Sequence, residues 1–372
     1  MSTKISNVRN VVVHHDPTRY TGQVGATQLK NGDVVVVFNE MRGMQHLDFD
    51  SLVLKRSKDN GETWDDDSKV MVWPCTHHFG SDTPSITQLS DGRLLANFLM
   101  TAFVGRKGIL DDLGPQSEYM ELTRSLDGVW LTQSKDDGYT WEPAYKASIA
   151  PMRWGQPKDE VVELPDGTLL MACQGALRER GYTYMSEEAG RIFLIRSDNG
   201  GLDWEHCSTV AFDPAGIITF EEPALGWTAD GVLVSLIRSV HQPRARHQHL
   251  WMAYSTNDGE SWSRPEPTNI WGYPADLTLL QDGRMMCTYS YRRDPWGVRA
   301  CVSDDGLHWD VANEFVVSEG GIAPPEEVSW YWHIGYPTSV QLNNGTIFTV
   351  FHQWTQEPPY VQYVAGVLYE LE

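Results

Sequence analysis

The segments SKDNGETW (Ser57–Trp64), SKDDGYTW (Ser134–Trp141) and STNDGESW (Ser255–Trp262) repeat one turn motif along the chain. Looser copies are SDNGGLDW (Ser197–Trp204) and SDDGLHW (Ser303–Trp309). In such a motif the short Ser and Asp side chains bind the backbone of a tight turn, the glycine adopts φ > 0, and the Trp packs back onto the sheet. Each copy follows an alternating strand such as SLVLKR or HLWMAY, so the repeat predicts a series of similar β-sheets.

Hairpin segments with an Asp-Gly or Asn-Gly turn alternate with these copies, as in PSITQLSDGRLLANF and TSVQLNNGTIFTVF. Their turn glycines are Gly32, Gly92, Gly167, Gly231, Gly283 and Gly345. Hairpins spaced by tens of residues, with almost no helix-period segments, predict an all-β fold. We expect a six-bladed β-propeller with four-stranded antiparallel blades.

The last hairpin is followed only by the strand-like segment YVQYVAGVLYELE and lacks the turn motif. We therefore expect the N-terminal strand VRNVVVHH to complete the last blade and close the ring. No linker rich in Pro, Gly or Ser and no low-complexity tract interrupts the chain. Residues 1–372 are accordingly predicted to form a single propeller domain.

The composition narrows the classes of partner. The chain has 50 Asp and Glu against 29 Lys and Arg, a formal net charge of −21. Such a field repels polyanions, so nucleic acid and anionic membrane surfaces are not expected as partners. The 15 Trp and 15 Tyr residues suit the packing between sheets and also the stacking of sugar rings. A carbohydrate partner is therefore expected, and an anionic one would need locally concentrated arginines.

The five cysteines are scattered without a C-x-x-C pair, which argues against a disulfide framework or a zinc site. The N-terminal segment lacks an apolar signal-like core, and no apolar run approaches about 18 residues. We therefore expect a cytoplasmic protein without a membrane span. No organic cofactor or metal is implied, although a calcium ion in a loop and a homo-oligomer both stay open.

In a propeller the innermost strand of each blade lines the axis, so chemistry is expected where these strands begin. Polar residues and tyrosines stand at these positions in otherwise apolar segments. They are Gln23, Asp82, Lys158, Asp159, Glu160, Glu221, Glu222, Tyr273 and Tyr336. Some of them, such as Asp82, could equally serve as turn residues, and so could Asp276 three residues after Tyr273.

The repeated turns, the segment EEPAL leading into SLIRS, and a Tyr at the start of the last blade together resemble the sialidase superfamily. The turn motif corresponds to its aspartate box, or BNR repeat, and the likeness covers nearly the whole chain. In that superfamily a Tyr is the nucleophile, a Glu is its base, an Asp is the acid/base, and three Arg hold the substrate carboxylate. The resemblance implies a retaining exo-glycoside hydrolase that acts on an acidic sugar at a glycan end, in carbohydrate metabolism.

Residue by residue, the resemblance implies Tyr336 as nucleophile and Glu222 as its base. The acid/base corresponds to Asp50 or Asp48 in GMQHLDFDSLVL, with His46 as a substitute. The implied substrate contacts are Arg42, Asp82, Arg238 and Arg292, where Arg293 is an alternative to Arg292.

One departure concerns the first arginine of the superfamily, which belongs to an R-I-P motif. Here Gly22 in TGQVGATQL occupies that register, and Arg19 three residues earlier is the nearest replacement. The set of three arginines is therefore incomplete, which puts true sialidase activity in question.

The chemistry itself explains a tyrosine nucleophile. Most glycosidases use two carboxylates, but a sugar that carries its own carboxylate beside the reacting carbon would repel a carboxylate nucleophile. A neutral phenol that gives its proton to a neighbouring Glu avoids this repulsion. Arginine binds the sugar carboxylate bidentately and stays charged at any working pH.

Two other functions stay open. Propeller-shaped lyases that use His and Tyr also exist, and His77, His78 and His333 lie near the expected site, so a uronate-directed lyase is an alternative. Aromatic residues such as Trp154 and the segment WYWH (330–333) would also suit a propeller that binds carbohydrate without catalysis.

Overall fold

The computed structural model describes residues 3–41, 50–76, 78–106, 122–177, 190–241, 249–321, 334–355, 357 and 360–372. These residues contain no α-helix. Besides strands they contain two short 3₁₀ helices, Asp66–Ser68 and Val311–Asn313. No helix in this part of the chain is long and apolar enough to span a membrane.

The strands follow the predicted hairpins and repeated turns. In the first half of the chain they are β1 (Ile5–His14), β2 (Thr21–Gln28), β3 (Val34–Met41), β4 (Asp50–Ser57), β5 (Val70–Trp73), β6 (Phe79–Gln88), β7 (Leu94–Arg106), β8 (Leu122–Ser134), β9 (Tyr145–Lys146), β10 (Trp154–Pro157), β11 (Val162–Glu163), β12 (Leu169–Ala176), β13 (Arg191–Ser197) and β14 (Glu205–Ala211). In the second half they are β15 (Ile218–Trp227), β16 (Leu233–His241), β17 (His249–Ser255), β18 (Glu266–Trp271), β19 (Ala275–Leu279), β20 (Met285–Tyr291), β21 (Gly297–Ser303), β22 (Phe315–Glu319), β23 (Gly335–Gln341), β24 (Ile347–Trp354) and β25 (Gln362–Leu371).

The described strands form antiparallel units of four, which we number in chain order. Units 1 and 2 (β2–β5 and β6–β9) share a single bridge between Asp50 and Ser81, so together they count as one eight-stranded sheet. Unit 3 consists of β10–β14. Its first strand is divided into two short pieces, β10 and β11, which both pair with β12. Units 4 and 5 are β15–β18 and β19–β22.

Unit 6 joins the two ends of the chain. Strand β1 pairs antiparallel with β25, in the order β1-β25-β24-β23. The first strands of neighbouring units also contact each other in chain order: β2 meets β6, β6 meets β10, β11 meets β15, β15 meets β19, β19 meets β23, and β23 meets β2.

The apolar core lies between neighbouring units. Val37 of unit 1 packs with Phe98 of unit 2, and Leu194 of unit 3 packs with Leu233 of unit 4. Strands that are apolar on both faces therefore bury both faces against other sheets. The first residues of the innermost strands are left free to carry polar side chains.

The repeated turns share one set of hydrogen bonds. The Gly61 N–H donates to Ser57 Oγ at 2.9 Å, and Trp64 Nε1 donates to the Gly61 carbonyl at 2.9 Å. The Asp59 carboxylate accepts from the Thr63 N–H and hydroxyl at 2.9 and 2.6 Å. The bond from the glycine to the serine recurs at 2.9–3.0 Å at Gly138, Gly201, Gly259 and Gly306, and each of these glycines has φ > 0.

Replacing the buried serine of one turn should destabilise the protein. In Ser57→Ala the buried Gly61 N–H loses its acceptor, and we expect the free energy of unfolding to fall by about 1–3 kcal/mol. Denaturant unfolding measures this change. Ser6→Ala, on the outer strand β1, is the control and should change stability by less than about 0.5 kcal/mol. Equal effects of the two substitutions would contradict this account of the turn.

Candidate active site

Residues from units 4 and 6 meet in direct contact. The Tyr336 hydroxyl donates to Glu222 Oε1 at 2.6 Å, although the two residues are 114 positions apart. Arg238 Nη1 lies 2.8 Å from Glu222 Oε2. We call Tyr336, Glu222, Arg238, Arg292 and Tyr273 the Tyr336 cluster.

Arg292 completes the cluster from unit 5. Its guanidinium carbon lies 5.6 Å from the centroid of the Tyr336 ring, and its Nε donates to the Ile334 carbonyl at 3.3 Å. Within the described residues, the buried Nη2 of Arg292 has no hydrogen-bond partner. Arg293, the alternative, instead lies over the Trp271 and Tyr291 rings and donates to the Tyr291 hydroxyl. Arg292 is therefore the arginine that faces Tyr336.

The same backbone conformation recurs at four positions, two of which belong to the Tyr336 cluster. Gln23, Thr83, Glu222 and Tyr336 each lie nine residues before a hairpin glycine, and all four have φ between 43° and 51°. Each lies at a register shift of its innermost strand. A β-bulge re-aims a side chain, and a non-glycine residue in this conformation costs about 1–3 kcal/mol. Such strain is typical of functional sites.

Side chains of adjacent strands and units hold the bulges in place. The Glu222 N–H donates to Gln174 Oε1 at 2.6 Å, and the Gln23 N–H donates to His352 Nδ1 at 2.9 Å. The Thr83 N–H donates to Gln23 Oε1 at 2.8 Å. Sequence reasoning missed Gln174 and His352. The available signal was a polar residue seven positions after a hairpin glycine, a position that also contains Arg238.

The ionisation of the pair follows from its surroundings. Burial tends to raise the pKa of Glu222, but Arg238, Arg292 and the bond from Tyr336 outweigh it and leave this pKa below its ordinary value. Burial and the Glu222 charge raise the pKa of Tyr336 well above its ordinary value. The resting pair is therefore a neutral phenol bonded to a carboxylate.

The position of the missing arginine is filled by other groups. A Cβ at Gly22 would lie 3.3 Å from Gln362 Oε1 and Tyr20 Cε1, and 3.5 Å from His352 Nδ1. Arg19 Nη1 instead lies 3.2 Å from Glu40 Oε2. Arg19 is thus engaged with Glu40 and does not take the place of the absent arginine in this structure.

Of the remaining predicted residues, Asp82, His78 and Asp50 are described by the structure and six others are not. Asp82 is buried, and its Oδ1 accepts from the Thr83 N–H at 2.9 Å. His78 is exposed, and its backbone N–H donates to Thr76 Oγ1. Asp50 is 0% exposed at the start of β4. Because a carboxylate without accessible surface cannot reach a leaving group, we assign no acid/base role to Asp50. Six predicted residues lie outside the described part of the chain: Arg42, His46, Asp48, His77, Trp330 and His333.

The cluster is partly open to solvent. The Arg238 side chain keeps 22% of its surface accessible, while Glu222 keeps 9%. Surface cavities of about 290 and 330 Å³ are lined by residues near Trp227 and Trp309 and include no member of the cluster. Among the described residues, no group of three or more His, Cys, Asp or Glu side chains is arranged to hold a metal ion.

A second buried polar group contains Lys158, Asp159 and Asp276. Asp159 Oδ2 accepts from the Leu225 N–H at 3.1 Å, and Asp276 Oδ2 accepts from the Ser339 N–H at 3.0 Å. Lys158 donates to the Ala275 carbonyl. Burial and the nearby Asp159 carboxylate raise the pKa of Asp276 to about 7. The group therefore links units 3 to 6. Its buried carboxylates repel one another, and this repulsion favours the protonated form of Asp276.

This group should make stability depend on pH. A carboxyl whose pKa is higher in the folded state stabilises the fold fully below its unfolded pKa of about 3.9, and this stabilisation is lost as the pH rises through 7. We expect Asp276→Asn to gain at least about 1 kcal/mol of stability relative to the wild type as the pH rises from 5 to 8. Thermal unfolding at both pH values tests this. Asp230→Asn, in an exposed turn, is the control and should show the wild-type dependence of stability on pH. If Asp276→Asn showed the wild-type dependence as well, Asp276 would not be the titrating group.

Comparison with solved structures shows the same fold elsewhere. A protein of unknown function from Dyadobacter fermentans aligns with a TM-score of 0.80 at 22% identity, over 98% of this chain and 99% of that chain. The NanB sialidase from Streptococcus pneumoniae aligns with a TM-score of 0.66 at 14% identity, over 97% of this chain and 70% of that chain. The α-L-arabinanase from Penicillium chrysogenum aligns with a TM-score of 0.61 at 14% identity, over 96% and 97%.

Sequence comparison adds one result. No curated protein matches this chain significantly. The BNR repeat-like domain, however, matches residues 114–349, which is more than half of the chain. The resemblance to the sialidase superfamily drawn from the repeated turns is confirmed, and the chain belongs to the family of BNR repeat-like domains.

Proposed function

We propose that this protein is a retaining exo-glycoside hydrolase that acts on an acidic sugar at the end of a glycan, with Tyr336 as nucleophile and Glu222 as its base. The observation that carries the proposal is the 2.6 Å hydrogen bond from the Tyr336 hydroxyl to Glu222 Oε1. We also propose that the six units are the blades of one closed propeller. The pairing of β1 with β25 and the contact of β23 with β2 support this closure.

The proposed reaction has two displacements. The Tyr336 oxygen attacks the anomeric carbon while its proton passes to Glu222, and the leaving-group oxygen takes a proton from the acid/base. Water then attacks the anomeric carbon of the glycosyl–tyrosine intermediate and gives a proton to the acid/base. The bond to Tyr336 breaks, and the phenol recovers its proton from Glu222. Two inversions give net retention.

The proposed carboxylate contacts are not equivalent. Arg238 is already paired with Glu222 at 2.8 Å, whereas Arg292 Nη2 has no partner among the described residues. Arg238 keeps 22% of its side-chain surface accessible, so we propose that it gives the first charge-assisted hydrogen bond to a substrate anion, with Arg292 as the second contact. Arg42 and Asp82 are proposed as further substrate contacts.

For the acid/base we propose Asp48, the other carboxylate that the resemblance offers in this segment, because Asp50 is fully buried. His46 is the substitute in that segment. We retain a cytoplasmic location as part of the proposal, since the five cysteines are free thiols.

The solved structures with this fold support a hydrolase rather than a lyase, since two of them are described as a sialidase and an arabinanase. The lyase alternative relied on His77, His78 and His333. Of these only His78 is described, and its side chain is exposed. A hydrogen-bonded Tyr336–Glu222 pair is what a tyrosine nucleophile requires.

A panel of aryl glycosides tests the proposal. Aryl sialosides, aryl uronides and neutral aryl glycosides are incubated with the protein, and the released phenol is measured. We expect release from an acidic member, with a product that first appears in the retained anomeric form by NMR. An unsaturated uronate absorbing in the ultraviolet would establish a lyase instead. Saturable binding without any turnover would establish a carbohydrate-binding protein.

A further inference from the structure

One aromatic ring contacts both arginines of the Tyr336 cluster. The guanidinium carbons of Arg238 and Arg292 lie 4.3 and 4.8 Å from the centroid of the Tyr273 ring. Two like charges placed near the same group repel each other. The negative face of an aromatic ring offsets this repulsion, and it does so more strongly where water is partly excluded.

The two guanidinium groups are also restrained by groups other than Tyr273. Arg238 is held by Glu222 at 2.8 Å and by Glu221 at 3.9 Å. Arg292 Nε donates to the Ile334 carbonyl. The Nη2 atom of Arg292 occupies space that a side chain at position 335 would need. A Cβ at Gly335 would lie 2.8 Å from Arg292 Nη2. The face of the Tyr273 ring, which both guanidinium carbons approach within 5 Å, is therefore an aromatic surface that the two arginines share.

Tyr273 itself is well anchored. Its N–H donates to the Ser290 carbonyl at 3.0 Å, and its side chain packs against a buried cluster that contains Tyr289 and Tyr291. A ring fixed in this way can set the distance between two flexible cationic side chains. Without it, each arginine would gain rotamer freedom and the pair would separate.

We propose that Tyr273 is a positioning residue that holds Arg238 and Arg292 side by side and thereby makes the cluster selective for a sugar carboxylate. The inference rests on the proposed function for its substrate class. It assigns the selectivity to the face of the Tyr273 ring rather than to its phenolic hydroxyl. It therefore predicts different results for leucine and phenylalanine at this position.

Binding in a catalytically silent background tests the proposal. In Tyr336→Phe protein, calorimetry measures the Kd of the methyl α-glycosides of N-acetylneuraminic acid and of glucuronic acid, and of their carboxamides. The acid that binds more tightly is then used. We expect Tyr273→Leu to raise the Kd of this acid roughly tenfold and that of its carboxamide by less than twofold. Tyr273→Phe should restore most of the affinity for the acid.

Tyr139→Leu is the matched control, because Tyr139 also lies over an arginine, Arg56, at 4.4 Å, but at a repeated turn. It should not change either Kd. Tyr273→Met is the second aliphatic variant in case the leucine protein does not fold.

Several results would overturn the proposal. An equal loss of affinity for acid and carboxamide would indicate a merely structural role for Tyr273. A phenylalanine variant as weak as the leucine variant would assign the effect to the hydroxyl, and acids bound no better than their carboxamides would remove the selectivity. Because no turnover is measured, a failed hydrolase assay contradicts the proposed function without affecting this result.

Discussion

Tyr336→Phe should reduce kcat by roughly 10⁴-fold or more while changing the affinity for substrate only slightly, because it removes the nucleophilic oxygen and almost nothing else. The ring that packs against His352 at 5.5 Å is retained, and Glu222 keeps its ion pair with Arg238 at 2.8 Å. Steady-state kinetics on the best aryl glycoside, together with calorimetric binding, measures both quantities.

Tyr139→Phe is the control for this substitution, since Tyr139 is an exposed tyrosine of a repeated turn. Its kinetics should match those of the wild type. If Tyr336→Phe kept more than about a tenth of the wild-type kcat, another residue would have to be the nucleophile. Loss of binding together with turnover would instead indicate that the substitution had disturbed the whole cluster.

Glu222→Gln should lower kcat by about 10²- to 10⁴-fold, the usual contribution of a general base. The amide oxygen can still accept a hydrogen bond from Tyr336, but it cannot take up the proton when the nucleophile attacks. The substitution also removes the charge that balances Arg238, so we expect a moderate loss of stability in addition. Kinetics and thermal unfolding separate the two effects.

Glu221→Gln is the matched control for the neighbouring carboxylate. Glu221 lies 3.9 Å from Arg238 Nε, compared with 2.8 Å for the Glu222 contact, and the structure records no hydrogen bond between Glu221 and Tyr336. Its effect on kcat should be much smaller than that of Glu222→Gln. Similar losses in the two variants would contradict the assignment of the base to Glu222.

Sequence reasoning reached the site by register. Tyr336 and Glu222 each lie nine residues before a hairpin glycine, and equivalent positions in repeated units lie at equivalent places in space. It left the acid/base open between Asp48 and Asp50, with His46 as a substitute. Asp48 and Asp50 are two residues apart, and only the structure shows that Asp50 is fully buried. Gln174 and His352 were missed because each supports a bulge in an adjacent strand or unit.

Local patterns along the chain were enough to predict the repeated turns, the hairpins and the all-β class. Each of these depends on contacts within a few residues, such as those from Ser57 to Trp64. The distances between polar groups of different units came from the folded structure. The 2.6 Å distance between Tyr336 and Glu222, the sharing of Tyr273 by two arginines and the close contacts around Gly22 all join different units. Such contacts depend on how the sheets pack, and local patterns along the chain do not encode those distances.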